Sequence, residues 1–365
     1  MADSEARGRE QRAVASPPLA ASSSGWSQRL QQHWWRPQVS GWMHALRPLA
    51  VLFQGLAALH RQSQLRQRPA SVGRPVIVVG NLVVGGAGKT PTVIALIELL
   101  RRDGWRPGVV SRGYGRTNEA ALVELDEHSE ASDCGDEPLL IHRRTGAPVV
   151  VGRDRLAGAR HLLERHPQVD VIVSDDGLQH HRLPRDVEVV VFDGRGAGNG
   201  LTLPAGPLRQ PVPDSAAPHM LVVYNAAEPS TPLPGHVVRR QLAGAVALGP
   251  WWKGQQPQAV HPLSDWAGRR VLAAAGTGDP ERFFRMLEEA GLTIDRLPLP
   301  DHARLTPPPW PTDTPDVFIT EKDAVKLRPE AVGATRVWVV ALDFALPPAF
   351  AQALRQRLPR TAHPA

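Results

Sequence analysis

The sequence predicts an α/β chain: a mostly parallel sheet flanked by helices, a second, smaller α/β domain, and an N-terminal amphipathic helix. Three observations carry this. Short apolar runs alternate with helical patterns across residues 75–224. The loop Gly80-Asn81-Leu82-Val83-Val84-Gly85-Gly86-Ala87-Gly88-Lys89-Thr90 lies between the first such run and the first helical pattern. A further set of strand-like and helix-like segments begins near Arg269.

Residues 1–25 are rich in Ala, Ser, Arg and Glu without an apolar period, so disorder is expected there. An amphipathic segment, residues 26–74, follows. Trp42, Leu46, Leu49, Phe53, Leu56 and Leu59 recur at three- and four-residue spacing, which describes one face of a helix. Between Glu10 and Glu98 there is no acidic residue, whereas arginines run from Arg12 to Arg74. Trp26, Trp34, Trp35 and Trp42 lie in the same stretch, and tryptophan suits a boundary between apolar and wet surroundings. Together these features read as a helix lying in an anionic membrane surface. The plainer alternative is a helix packed on its own domain, and the missing acids on the polar face weigh against it. Residues 49–59, the longest apolar stretch, are interrupted by Gln54 and Gly55 and fall short of the roughly 20 needed to span a bilayer. No recognised nucleic-acid module accompanies the basic stretch, so nucleic acid is not an expected partner.

Residues 75–265 are read as the nucleotide-binding and catalytic domain. Strands are expected at 76–79, 107–111, 148–151, 169–174, 187–192 and 220–224, with helices at 92–102 and 155–165. The glycine-rich loop makes this domain P-loop NTPase-like. Strand, turn and helix N-terminus aim backbone N–H groups at one point, where the helix dipole favours an anion. Gly85, Gly86, Ala87, Gly88, Lys89 and Thr90 would cradle the phosphates of ATP, with Lys89 on the β- and γ-phosphates and Thr90 on Mg²⁺. The strict motif places glycine six residues before the lysine, and here that residue is Val83. Asp175 and Asp176 close the apolar run before them, at the strand end where open α/β sheets bind ligands, and are candidate Mg²⁺ ligands. Gln179 and His180 follow closely and are expected to orient substrate or phosphate. A proline-rich surface region is expected at 203–213.

The smaller domain is placed at residues 266–345, with strands at 271–275, 316–320 and 336–341 and a helix at 283–290. Residues 346–365 are read as a tail. A length of 365 residues with 42% hydrophobic content suffices for two packed domains. The single cysteine, Cys134, excludes a disulfide framework and points to a reducing compartment.

The chain resembles the tetraacyldisaccharide 4′-kinases of lipid A biosynthesis. Seven segments carry the resemblance, in one order: Val79-Gly80-Asn81 with Gly85 to Pro91; Ser111-Arg112-Gly113-Tyr114-Gly115; Gly135-Asp136-Glu137-Pro138; Asp175-Asp176-Gly177-Leu178-Gln179-His180; Leu203-Pro204-Ala205-Gly206-Pro207-Leu208-Arg209; Asp301-His302; and Thr320-Glu321-Lys322-Asp323-Ala324-Val325-Lys326-Leu327. The family shares the relaxed first glycine. The resemblance implies transfer of the ATP γ-phosphoryl group to the 4′-hydroxyl of tetraacyldisaccharide 1-phosphate, giving lipid IV-A. It implies Asp136 as the base that accepts the hydroxyl proton, with His302 orienting it and tuning its proton affinity. The smaller domain would then close over the larger and exclude water. Arg112, Arg155, Arg209 and Asn225 are further substrate-binding candidates on this basis. Peripheral attachment to the cytoplasmic face of a Gram-negative inner membrane follows, with no obligate protein partner. The rival reading is a membrane-attached P-loop ATPase switch acting on a protein.

Two departures stand out. Gln210 replaces the usual glutamate after Arg209, leaving any metal role of that acid to Asp175, Asp176 or water; Thr277 replaces an isoleucine between Gly276 and Gly278. Only four lysines stand against thirty-eight arginines. Lys322 and Lys326 are therefore second-rank candidates near nucleotide or substrate, with helix-surface charge the plainer role.

Overall fold

The computed structural model describes residues 25–36, 38–254 and 261–358. The expectations for residues 1–24 and 359–365 lie outside the described residues. A larger sheet contains β1 (Val76–Gly80), β2 (Pro107–Ser111), β3 (Val123–Glu124), β4 (Val149–Val151), β5 (Val171–Ser174), β6 (Val187–Asp193), β7 (Met220–Asn225) and β8 (His236–Val237). Their order is β3-β4-β2-β5-β1-β6-β7-β8, parallel throughout except for β3 against β4. A smaller sheet holds β9 (Arg239–Ala247), β10 (Arg270–Ala275), β11 (Thr293–Pro298), β12 (Asp316–Thr320) and β13 (Arg336–Ala345) in the order β11-β10-β12-β13-β9. There only β9 runs antiparallel, against β13.

The helices are α1 (Gly25–Trp34), α2 (Arg47–Arg66), α3 (Lys89–Arg102), α4 (Ala131–Cys134), α5 (Asp136–Thr145), α6 (Arg155–Arg165), α7 (Leu248–Trp252), α8 (Pro280–Glu289), α9 (Glu321–Ala324) and α10 (Pro348–Arg357). Every residue of β1 and β5 is buried, as a parallel sheet covered on both faces requires. Alternation along β1 sorts the two faces: Ile77 and Val79 pack with α3 and α5, while Val76 and Val78 pack with Leu156, Ala159 and Leu162 of α6. The first of these cores continues without a break into Val246, Trp251, Ile319 and Val339, so the smaller sheet packs on the α3–α5 side of the larger.

Three expectations change. β9 belongs to the smaller sheet, so the crossover between sheets precedes residue 239 rather than falling at 265. The stretch read as a tail forms α10, whose Phe350 is fully buried against His236 and whose Arg355 pairs with Asp103 at 2.6 Å. The proline-rich region is not mere surface. Ala205, Gly206, Pro207 and Leu208 are buried, and Leu208 bridges Val83. That bridge explains the missing glycine: Val83 buries its side chain in the core and adopts no left-handed backbone, so the position needs no glycine.

One buried ion pair ties the sheets together. Arg144 of α5 and Glu321 of α9 meet at 2.6 Å with side chains only 8% exposed, and Glu321 also accepts from Trp251 Nε1 at 3.4 Å. Arg144→Ala strands the carboxylate and should lower unfolding free energy by about 3–5 kcal/mol. Denaturant titration checks this, and a loss within the scatter of surface substitutions contradicts it.

Candidate active site

The phosphate loop opens α3 with Lys89, and no acidic residue in the first turn offsets the positive end of the helix dipole. Gly88 turns the loop at φ 92°, and a Cβ there would lie 2.1 Å from Asn225 Nδ2, so only glycine fits. Asn225 donates from that nitrogen to the Ala87 carbonyl at 3.1 Å. Fully buried Asn81 braces the other side, donating to the Gly85 carbonyl at 3.1 Å and accepting from Lys89 Nζ at 3.2 Å. Arg195 bonds both carboxylate oxygens of Asp193, lies 4.1 Å over the Trp35 ring, and donates to the Gly86 carbonyl at 2.8 Å.

Asp175 and Asp176 directly follow β5, beside this loop, but meet opposite surroundings. Asp175 accepts from Ser111 Oγ at 2.9 Å and forms no ion pair among the described residues. Burial, reinforced by the adjacent Asp176, raises its pKa to about 6. Burial also opposes ionisation of Asp176, but Lys89 at 3.6 Å and Arg209 at 3.4 Å, with Arg155, outweigh it and hold its pKa below the ordinary range. Asp176 occupies the left-handed region at φ 48°, uncommon for a non-glycine residue and typical of constrained functional backbone. Mg²⁺ fits this donor set. Thr90, Asp175 and Asp176 would offer a hydroxyl and two carboxylates, with remaining positions left to phosphate and water, and Asp175 forms no ion pair among the described residues.

Arg155 reaches the Asp176 carbonyl at 3.2 Å, and burial lowers its pKa to about 10. Gln179 receives from Arg209 at 3.3 Å and lies 3.4 Å from the Asn81 carbonyl. Arg112 stands apart from this network: its side chain is 46% exposed and pairs with Glu119 at 3.7 Å.

Opposite the acids lies the link between domains. Asp136 begins α5, the helix end that favours negative charge, and Gly113 allows the Arg112–Tyr114 turn to approach it; a Cβ on Gly113 would meet the Cys134 carbonyl at 2.6 Å. From the smaller domain His302, itself left-handed at φ 59°, bonds Asp136 Oδ2 through Nδ1 at 2.9 Å. That bond raises the His302 pKa. Tyr114 and His302 rings approach to 5.5 Å at the edge of a cleft of about 700 Å³ lined also by Ser132, Arg304 and Arg328. Lys322 spans the same boundary, 2.8 Å from Glu137 and 2.9 Å from Asp301. Burial works against its charge, and those two carboxylates overcome this and raise its pKa. Lys326, 6% exposed, pairs with fully buried Asp323 at 2.7 Å. Helix-surface charge is thus corrected for both lysines: Lys322, on α9, and Lys326, just beyond it, are held inward by their carboxylate partners.

Sequence reasoning does not single out Asn81, Ser111 or Arg195. The first two were signalled by a polar residue closing an apolar strand; nothing distinguishes Arg195 among so many arginines.

His180 and His181 are pushed down to about 4, chiefly by burial, with Arg155 adding to the first and Arg185 to the second. Unfolded imidazole titrates near 6.5, so both groups contribute stability above about pH 6.5 that is lost as pH falls toward 4. Thermal midpoints should drop between pH 7.5 and 5. The double variant His180→Gln/His181→Gln should flatten that drop, and a slope parallel to wild type contradicts the assignment.

A family model described as tetraacyldisaccharide-1-P 4′-kinase matches residues 42–359. Two relatives named tetraacyldisaccharide 4′-kinase are closely similar. That from Methylibium petroleiphilum is 55% identical over 347 residues, covering 93% of this chain and 96% of its own. That from Leptothrix cholodnii is 52% identical over 339 residues, covering 91% and 96%. Among solved structures, the apo form of LpxK from Aquifex aeolicus in complex with ATP superposes with a TM-score of 0.69 at 24% identity, covering 87% of this chain and 99% of that one. This last similarity bears on the fold.

Proposed function

The chain belongs to the tetraacyldisaccharide 4′-kinase family, enzymes of lipid A biosynthesis, and we propose how its own residues perform the transfer. ATP donates its γ-phosphoryl group to the 4′-hydroxyl of tetraacyldisaccharide 1-phosphate. The observation that carries this reading is the 2.9 Å bond between Asp136 of the larger sheet's α5 and His302 of the smaller domain. A sugar hydroxyl is a weak nucleophile at neutral pH, so a carboxylate that accepts its proton during transfer is chemically useful. Asp136 is that acceptor, and His302 fixes its orientation. Lys89 and the loop amides bear the charge that develops on the terminal phosphate. Thr90, Asp175 and Asp176 would hold Mg²⁺, which when bound neutralises phosphate charge. Arg155, Arg209, Gln179 and His180 line the approach to the acids and are assigned to substrate. The ATPase-switch alternative is not favoured, since it gives the Asp136–His302 pair no task.

The enzyme is proposed to sit peripherally on the cytoplasmic face of the inner membrane. Among the described residues no helix is long and apolar enough to cross a membrane. On α2, Leu49, Val51, Leu52, Leu56 and Leu59 are all exposed, so this face is not packed on its own domain. Its other side is tied down by Gln54 to Thr202 at 2.8 Å and by Gln64, which accepts from the His181 amide at 2.7 Å. An exposed apolar face beside acid-free, arginine-rich sequence suits an anionic bilayer.

With γ-labelled ATP and tetraacyldisaccharide 1-phosphate, label should appear on the lipid, and Lys89→Ala should reduce turnover by roughly 10²–10³-fold. ATP hydrolysis with no labelled lipid would instead favour the switch. Leu52→Glu/Leu56→Glu should weaken binding to anionic vesicles by about tenfold or more while leaving the fold intact. Unchanged vesicle binding places the contact elsewhere.

A further inference from the structure

Two arginines of the smaller domain reach Asn225, which bonds the phosphate loop, and neither has a carboxylate ion-pair partner among the described residues. Arg240, on β9, reaches Asn225 Oδ1 at 3.5 Å and Met286 Sδ at 3.6 Å, while its Nε is buried with no partner. Arg282, in the first turn of α8, donates to the Asn225 carbonyl at 3.4 Å. Among the described residues neither forms an ion pair. The nearest acids are otherwise engaged: Asp193 is held by Arg195 at 2.6 Å, and Asp279 caps α8 through the Arg282 amide at 3.2 Å. Burial lowers the Arg240 pKa to about 10, with Arg282 adding to the effect, and burial likewise lowers that of Arg282. Asp193 and Asp279 offset the two charges only at longer range, so adjacent, half-buried cations with no direct ion pair among the described residues are costly unless an anion completes them.

Sheet order identifies the anion. The proton acceptor Asp136 and the acids Asp175 and Asp176 lie on the β2–β5 side of β1, so the terminal phosphate must point that way. The rest of the nucleotide must then run toward β6 and β7. Two strand spacings, about 10 Å, separate β1 from β7, comparable to the length of a triphosphate chain. At the end of β7 stands Asn225, already bonded to Ala87 of the loop and flanked by both guanidinium groups.

We propose that Arg240 and Arg282 bind the nucleotide from the smaller domain, taking the α-phosphate and nucleoside end of ATP while Lys89 takes the terminal phosphates. This rests on the kinase reading above. It assigns Asn225 to the nucleotide rather than to the lipid. It also means that ATP spans the two domains at both ends, near Asp136–His302 and at Asn225, so that nucleotide sets the position of the smaller domain. Guanidinium contact with the α-phosphate is common to ATP and ADP, and the two should respond alike.

Equilibrium binding of ATP and ADP with Mg²⁺ to the full-length protein tests this. Arg240→Gln and Arg282→Gln should each weaken both nucleotides by the same factor, roughly tenfold or more, with KM for the lipid changed less than about twofold. Arg240→Lys should recover part of the loss. Thermal midpoints without nucleotide should stay near wild type, while the rise caused by ATP should shrink. Wild-type affinity for ATP and ADP in both glutamine variants overturns the clamp and leaves the kinase reading standing. An equal rise in lipid KM also overturns it, because it indicates a displaced domain. A wild-type protein that binds no ATP removes the kinase reading and the clamp together.

Discussion

A hydrogen bond from His302 to Asp136 joins two residues 166 positions apart and places the proposed base where the two sheets meet. Most of the surrounding architecture keeps that distance. Lys322 clasps Glu137 and Asp301 beside it, Arg144 and Glu321 pair beneath it, and one apolar core runs through both sheets. The loop holding His302 is strained at φ 59°, a conformation that persists only where neighbours over-determine it. Gly278, from the smaller domain, also nears the phosphate loop: a Cβ there would lie 3.9 Å from the Gly86 nitrogen. The candidate site is therefore a property of the boundary between the two sheets.

Electrostatics divides the labour within the site. Asp175 and Asp176 are sequence neighbours, yet one has no ion-pair partner among the described residues and an elevated pKa while the other is surrounded by Lys89, Arg209 and Arg155. The first suits a metal cation, and the second fixes the lysine and arginines proposed to meet phosphate and substrate. Repulsion from the second adds to burial in raising the pKa of the first, while the cations around the second keep it ionised.

What the sequence made legible follows from physical strength of signal. Wholly apolar runs such as 171–173 announce buried parallel strands, and Gly88-Lys89-Thr90 announces a phosphate site because strand, turn and helix must coincide there. β11 alternates weakly, with most residues exposed at a sheet edge, and gives little to read. α9 is a single turn, too short for a 3.6-residue period to emerge. The stripe on α2 was identified by its spacing, but periodicity cannot say what a face packs against. Asp136 and His302 were legible only through their family resemblance, since an aspartate before a proline and a loop histidine are common turn residues. Arg240 and Arg282 were invisible because their significance lies in lacking a direct ion pair among the described residues, which only three dimensions reveal.

Single-turnover phosphoryl transfer by Asp136→Asn, with ATP affinity measured on the same preparation, tests most directly whether the domain boundary supplies the base. The substitution keeps shape and can still bond His302, but it removes the proton acceptor. Transfer should slow by about 10²-fold or more while ATP binds as in wild type. Transfer near the wild-type rate would contradict the account, because the bond on which the two sheets converge would then have no part in the chemistry.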